Sequence, residues 1–248
     1  MNEIETISNW IKDYATKAKK TTLVVGVSGG IDSAVVSTLC AKTGLKTIPM
    51  VMSIGNKDIL GLEHAWWLDE NFPNISRRII NMEKIFHEFE KASMYINAAN
   101  KLAFANTKAR LRMTMLYQMA QSENGLVVGT GNKVEDFGVG FYTKYGDGGV
   151  DISPIADFYK SEVRQMGVEL GVLEKIIEAK PTDGLWEDGR TDEDQLGMSY
   201  EEIEKAMKQD ETHTIVTIKK DINKLNTYRE IRKANLHKMV PIPVYRRK

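Results

Sequence analysis

Residues Leu23 to Val36, reading LVVGVSGGIDSAVV, constrain this chain more than any other stretch. Apolar, mostly β-branched residues run into Gly26, a short Ser/Gly loop follows, and an apolar run with helical spacing then begins. The pattern predicts a buried strand, a tight turn and a helix start. Gly29 and Gly30 have no side chain to hold a phosphate away from the backbone. Successive N–H groups can therefore turn toward an anion, and the helix N-terminus adds its partial positive charge. Ser28 and Ser33 supply hydroxyls, and Asp32 supplies a carboxylate.

A carboxylate beside a bound anion is repelled unless a cation sits between them, so Asp32 argues for Mg²⁺. The plainer reading is that Asp32 caps the helix. No Gly-Lys dipeptide occurs in the chain, which excludes a Walker loop, and Ser28 stands where a dinucleotide fingerprint needs its second glycine. Ser-Gly-Gly-x-Asp-Ser after a strand resembles instead the pyrophosphate loop of ATP pyrophosphatases, which split ATP between the α and β phosphates.

The 34 Lys and Arg residues are balanced by 34 Asp and Glu, so no global field draws the chain to nucleic acid or to an anionic membrane. No apolar run approaches the roughly 20 residues of a membrane span, and the amphipathic N-terminus is unlike a signal peptide. The expectation is a cytosolic protein. The single cysteine, Cys40, excludes an internal disulfide and reads as a core residue, and four scattered histidines give no zinc-ligand spacing.

Along the chain, residues 3 to about 19 predict an amphipathic helix. Lys46–Met52 and Ile75–Ile80 predict further strands, with helices over 57–71 and from about Met82. Residues 98–122 carry the longest helical pattern, and Leu126–Val128 form another strand. Strands alternating with helices imply an α/β fold: a Rossmann-like parallel sheet with helices on both faces and ligands at the carboxyl ends of the strands. If the strand ending at Val128 neighbours the first, Thr130 offers a hydroxyl to a nucleotide, and Glu135 offers a second carboxylate to share a metal with Asp32. Residues 136–153 are too rich in glycine and polar groups for core helix or strand, and their interleaved aromatics favour an ordered loop over a ligand. Lys160 opens a helix that runs to about Gly171. Its charge opposes the helix dipole, which leaves a solvent-facing lysine or an anion-binding one. Lys180–Trp186 reads as a turn, and residues 182–194 as a possible mobile cover. Ser199 and Glu202 form a capping box. Two helical stretches over 213–238 are expected to break near Asn226 and Thr227, with an extended tail from Val240.

The order of these blocks resembles the ammonia-dependent NAD synthetases. The matches are Ser28-Gly-Gly-Ile-Asp-Ser33, Asn106-x-Lys-x-Arg-x-Arg112, Gly129-Thr-Gly-Asn132, Thr143-Lys-Tyr-Gly-Asp-Gly-Gly149, Pro154, Lys160, Pro181-Thr182, Thr191-Asp-Glu-Asp-Gln-Leu-Gly197 and His237-Lys238. The resemblance implies one synthetase domain over 1–248, with an ATP-pyrophosphatase core at about 21–180 and a helical part at about 190–240. It implies that ATP and deamido-NAD give an adenylated carboxylate and pyrophosphate, after which ammonia expels AMP.

By the same resemblance ATP contacts Gly26, Val27, Ser28, Gly29, Gly30, Ile31, Asp32, Ser33, Thr130, Lys160 and Thr182, and Mg²⁺ is held by Asp32 and Glu135. Ser28, Asp32, Ser33 and Lys160 serve the chemistry. Deamido-NAD contacts Arg110, Lys144, Asp151, His237 and Lys238, and a homodimer is implied. The spacing from Glu135 to Lys144 is one residue longer than the family pattern, which leaves Asp136 as an alternative metal ligand. The chain length leaves no room for a glutamine amidase domain, so free ammonia is the expected nitrogen donor. The competing readings are a GMP synthetase-type amidase, a tRNA-modifying ligase, or a nucleotide sensor that binds ATP and releases no pyrophosphate.

Overall fold

The computed structural model describes residues 2–55, 58–182, 191–214 and 216–247. Helix α1, Glu3–Lys17, is capped by the Asn2 side chain and leads to strand β1, Thr22–Gly26. The phosphate loop and α2, Ile31–Lys42, follow, then β2, Lys46–Ser53, and α3, Ile59–Asn71. Next come β3, Arg78–Asn81, α4, Glu83–Tyr95, α5, Lys101–Ser122, and β4, Gly125–Val127. The sheet runs in the order β3-β2-β1-β4 with every pairing parallel. Thr22 pairs with both Lys46 and Gly125, so β1 is central and β4 is its neighbour.

Side-chain alternation divides the core between the two faces of the sheet. Leu23, Val25, Leu126 and Val128 pack with α1 and α2. Val24, Ile48, Met50 and Val127 pack instead with Phe86 of α4 and Met113 and Leu116 of α5. Because α2 lies against both the sheet and its helical neighbours, nearly its whole surface is buried, Cys40 included. Burial pushes the Cys40 thiol up, which leaves it inert. On α3, the fully buried His64 meets Ser37 Oγ of α2 at 3.0 Å through Nε2.

Beyond β4, a π-helix spans Lys133–Val139, and α6, Lys160–Glu169, returns to pack on α2. Then come α7, Glu174–Ile177, α8, Asp192–Leu196, α9, Tyr200–Glu211, and α10, Lys219–Met239. The π-helix, α9 and α10 share a third core built on Val134, Val139, Ile203, Met207, Leu225 and Tyr228. Among the described residues, no helix is long and apolar enough to cross a membrane.

Two expectations are corrected. The segment 136–153 is not loop throughout, since residues 136–139 belong to the π-helix and Ile152 bridges to Val128 at the sheet. Its polar and glycine content masks the helix because Asn132 caps it and α10 closes its far end. Arg232 donates to the carbonyls of Phe137 and Gly138, and Asn235 to that of Val139. The second correction is that α10 does not break at Asn226 and Thr227. Leu225 and Tyr228 bury one stripe, and the Thr227 hydroxyl returns to the Asn223 carbonyl at 3.0 Å, so two poor helix formers are carried by packing. The expected turn and cover at 180–194 fall largely on residues 183–190, outside the described residues.

Candidate active site

The phosphate loop leaves β1 with the Val27 N–H still paired to the Met50 carbonyl at 2.9 Å. Gly29 then takes φ +76°, and a Cβ there would meet Leu60 Cβ and the Gly61 nitrogen, each at 2.8 Å. Only glycine fits that turn against the start of α3. The two serines hold the loop's shape. Ser33 Oγ accepts from the Ser28 N–H at 3.1 Å, lies 3.2 Å from Ser28 Oγ and donates to the Gly30 carbonyl at 3.0 Å.

Asp32 does not cap its helix. Gly30 is the N-cap residue, and Asp32 turns toward residues far along the chain. Its Oδ1 accepts from Asn132 Nδ2 at 3.1 Å, and its Oδ2 accepts from Lys160 Nζ. Lys160 Nζ also donates to Glu135 Oε1 at 2.8 Å. The lysine side chain is only 5% exposed and the carboxylates 14% and 15%, which excludes the solvent-facing reading of Lys160. An ammonium at the first position of α6 opposes the helix dipole, and the two carboxylates offset that cost.

Asn132 is the cross-brace of the site. It is fully buried, and while its amide nitrogen serves Asp32, its Oδ1 accepts from Val134 N and Glu135 N at 3.0 Å each. It thereby caps the π-helix that presents Glu135 and ties that helix to the phosphate loop. The Gly129-Thr-Gly-Asn132 motif by itself gives Asn132 no role. Its place just before a run that turns helical was the available signal.

The charges explain the protonation states. Burial pushes the Lys160 ammonium down, but Asp32 and Glu135 overcome this and hold it well above its ordinary range. Burial also pushes both carboxyls up. For Glu135, Lys160 with the Tyr200 and Asn132 hydrogen bonds prevails, and its carboxyl lies low. Asp32 stays raised, because burial and the Glu135 charge outweigh Lys160. Two carboxylates against one ammonium make a pocket short of positive charge. Glu135, not Asp136, meets Lys160. Asp136 packs over Gly131, and its carboxyl is pushed well up by burial and by Asp147, Glu135 and Asp32.

These groups lie at the carboxyl ends of two neighbouring parallel strands, where an open α/β sheet binds its ligands. The family model described as NAD synthase matches residues 3–247. The chain belongs to the NAD synthase family. Among curated relatives, the NH3-dependent NAD⁺ synthetase of Sulfurisphaera tokodaii is 36% identical over 244 residues, covering 95% of this chain and 85% of that protein. That of Methanococcoides burtonii is 43% identical over 196 residues, covering 74% and 70%. Among solved structures, an NMN synthetase from Francisella tularensis superposes with a TM-score of 0.85 at 31% identity, covering 98% of this chain and 97% of that one. The NH3-dependent NAD synthetase of Campylobacter jejuni, bound to nitrate, gives 0.78 at 27% identity, covering 99% and 100%.

The other residues that the NAD synthase resemblance assigns fall in separate places. Thr130 follows β4 at the sheet's carboxyl edge, and Thr182 is exposed, directly before the undescribed stretch. Arg110 of α5 donates from Nε to the Lys144 carbonyl at 3.2 Å, so these two lie together on an open face. Both Asp151 oxygens are engaged, with Oδ2 accepting from Val127 N at 2.8 Å and Oδ1 from Tyr117 Oη at 3.1 Å. Lys238 Nζ donates to the Gly140 and Tyr142 carbonyls at 2.5 and 2.9 Å, while His237 is exposed on the last turn of α10.

Proposed function

We propose that this chain makes NAD by amidating deamido-NAD with free ammonia, using ATP and Mg²⁺, the last step of NAD biosynthesis. The observation that carries this reading is the Asp32–Lys160–Glu135 cluster beside the phosphate loop in a chain of this family. In the first step a carboxylate oxygen of the nicotinate attacks the α-phosphorus of ATP in line, and the bond to the bridging oxygen breaks to release pyrophosphate. In the second the ammonia nitrogen attacks the acyl carbon, the bond to AMP breaks, and a proton is lost from nitrogen.

The protein's part in the first step is electrostatic positioning. The start of α2 offers its N-terminal N–H groups to the phosphates, and Lys160, kept charged by its two partners, neutralises charge on the leaving pyrophosphate. Asp32 and Glu135 suit a hard divalent cation beside the ligand's phosphates, since they are neighbouring oxygen donors in an anionic pocket and each keeps a carboxylate oxygen that Lys160 does not engage. They would hold Mg²⁺, which when bound adds positive charge at the phosphate oxygens. Arg110 and Lys144 supply the positive charge for a dinucleotide's phosphates. A homodimer is supported by the bare apolar side chains where α4 meets α5, Tyr95 at 90%, Ile96 at 75% and Leu102 at 59% exposure.

A second reading has a specific observation behind it, the overlay on an NMN synthetase along nearly the full length of both chains. The same amidation of nicotinate mononucleotide would give NMN. The test is pyrophosphate release from ATP, Mg²⁺ and ammonium with each acceptor, the amide product being identified by mass. Release with deamido-NAD and matching NAD supports the first reading. Release with the mononucleotide alone replaces it with the second, and release with neither overturns both.

A further inference from the structure

Helix α9 opens on Tyr200, whose side chain is buried in the third core beside Val134, Ile203 and Met207. Its hydroxyl donates to Glu135 Oε1 at 2.5 Å and lies 3.1 Å from Asp192 Oδ2. Its ring stands 5.1 Å from Lys160 Nζ. One turn along the same face, the buried Glu204 accepts from Ser161 N at 3.0 Å and from Ser161 Oγ at 2.7 Å. Ser161 directly follows Lys160. Helix α9 therefore grips both partners of the ion-pair cluster, Glu135 through Tyr200 and the first turn of α6 through Glu204.

Packing alone does not call for a tyrosine here. A phenylalanine would fill the same volume, and a buried hydroxyl costs free energy unless it finds a partner. The partner it finds is a carboxylate oxygen that already accepts from Lys160. Two donors on one oxygen fix the rotation of the Glu135 carboxylate, as outer groups do for the ligands of metal sites.

We propose that Tyr200 is a positioning residue, holding Glu135 oriented for the divalent cation that accompanies ATP. This rests on the reading of Asp32 and Glu135 as metal ligands given above.

The test uses the full chain with Tyr200→Phe, which removes one oxygen and keeps the ring. Mn²⁺ binding is measured by electron paramagnetic resonance in the presence of α,β-methylene ATP, which cannot release pyrophosphate. The expected result is Mn²⁺ binding weakened about tenfold or more, with a parallel rise in the Mg²⁺ needed for half-maximal pyrophosphate release. Binding of the analogue without metal stays at the wild-type value. Equal Mn²⁺ constants for wild type and variant overturn the proposal. Wild-type protein that binds no Mn²⁺ overturns the metal-ligand reading and the proposal with it. Partial misfolding lowers the number of sites and leaves their constant unchanged, so a variant that loses sites alone also counts against positioning.

Discussion

The two halves of the candidate site are built in opposite ways. The half proposed for the triphosphate is closed, with Asp32, Glu135 and Lys160 at most 15% exposed and joined to one another, to Asn132 and to Tyr200. The half proposed for the acceptor is open, with Arg110 and His237 at the surface and Arg110 leaning on a backbone carbonyl. The closed half is set before any ligand arrives, which suits catalysis by fixed charges. The open half presents charge without enclosing space, which suits a surface completed by the ligand or by a second copy of the chain.

The largest expected effect follows from breaking the closed half. Lys160→Met removes the ammonium that the two buried carboxylates share. Pyrophosphate release should fall by about two to three orders of magnitude. The variant should also lose roughly 3–5 kcal/mol of stability at neutral pH, because the remaining charges are buried without their partner. The sign with pH is specific. Unpaired buried carboxylates take protons more readily in the folded than in the unfolded chain, so the deficit should shrink as pH is lowered. Chemical denaturation of both proteins at several pH values measures this, and a deficit that grows in acid would contradict the account of the cluster.

The open half should respond differently. Lys144→Ala should raise the KM for the nicotinate acceptor by about tenfold, the equivalent of some 1.4 kcal/mol, while leaving the KM for ATP nearly unchanged. Steady-state kinetics with each substrate varied in turn separates the two constants. An equal rise in both would place Lys144 with the triphosphate and erase the division.

The same division governs what could be read from the sequence. The phosphate loop was legible because its causes are local: a strand, a turn that only glycine fits and a helix start lie within residues 23–36. The parallel sheet followed from alternation of strands and helices. Lys160 was readable as a lysine in a costly place, but whether it faced solvent or carboxylate depended on a contact 128 residues away. Tyr200 reaches Glu135 across 65 positions, and no periodicity encodes such a contact. The π-helix escaped because its far end is satisfied by α10, from about 95 residues further on. Closed sites are hard to read for the reason that makes them rigid, since their groups come from distant segments.

The smallest effect sharpens the comparison from behind the phosphate loop. His64 supports α2 from α3, and burial lowers its pKa from 6.5 to about 4, the interaction with the Ala34 carbonyl opposing only in part. The ring is therefore neutral in the folded chain at neutral pH. Below about pH 6.5 the unfolded chain takes up a proton that the folded chain refuses until about pH 4. Stability must then fall as pH falls through that window, by on the order of 3 kcal/mol in all. His64→Gln, which keeps a polar group for Ser37 and cannot titrate, should be flatter than the wild type between those pH values and should retain turnover at neutral pH. Denaturation midpoints across the window decide it. If the two curves run parallel, the acid sensitivity of the closed half arises in the carboxylate cluster and not in the core that supports it.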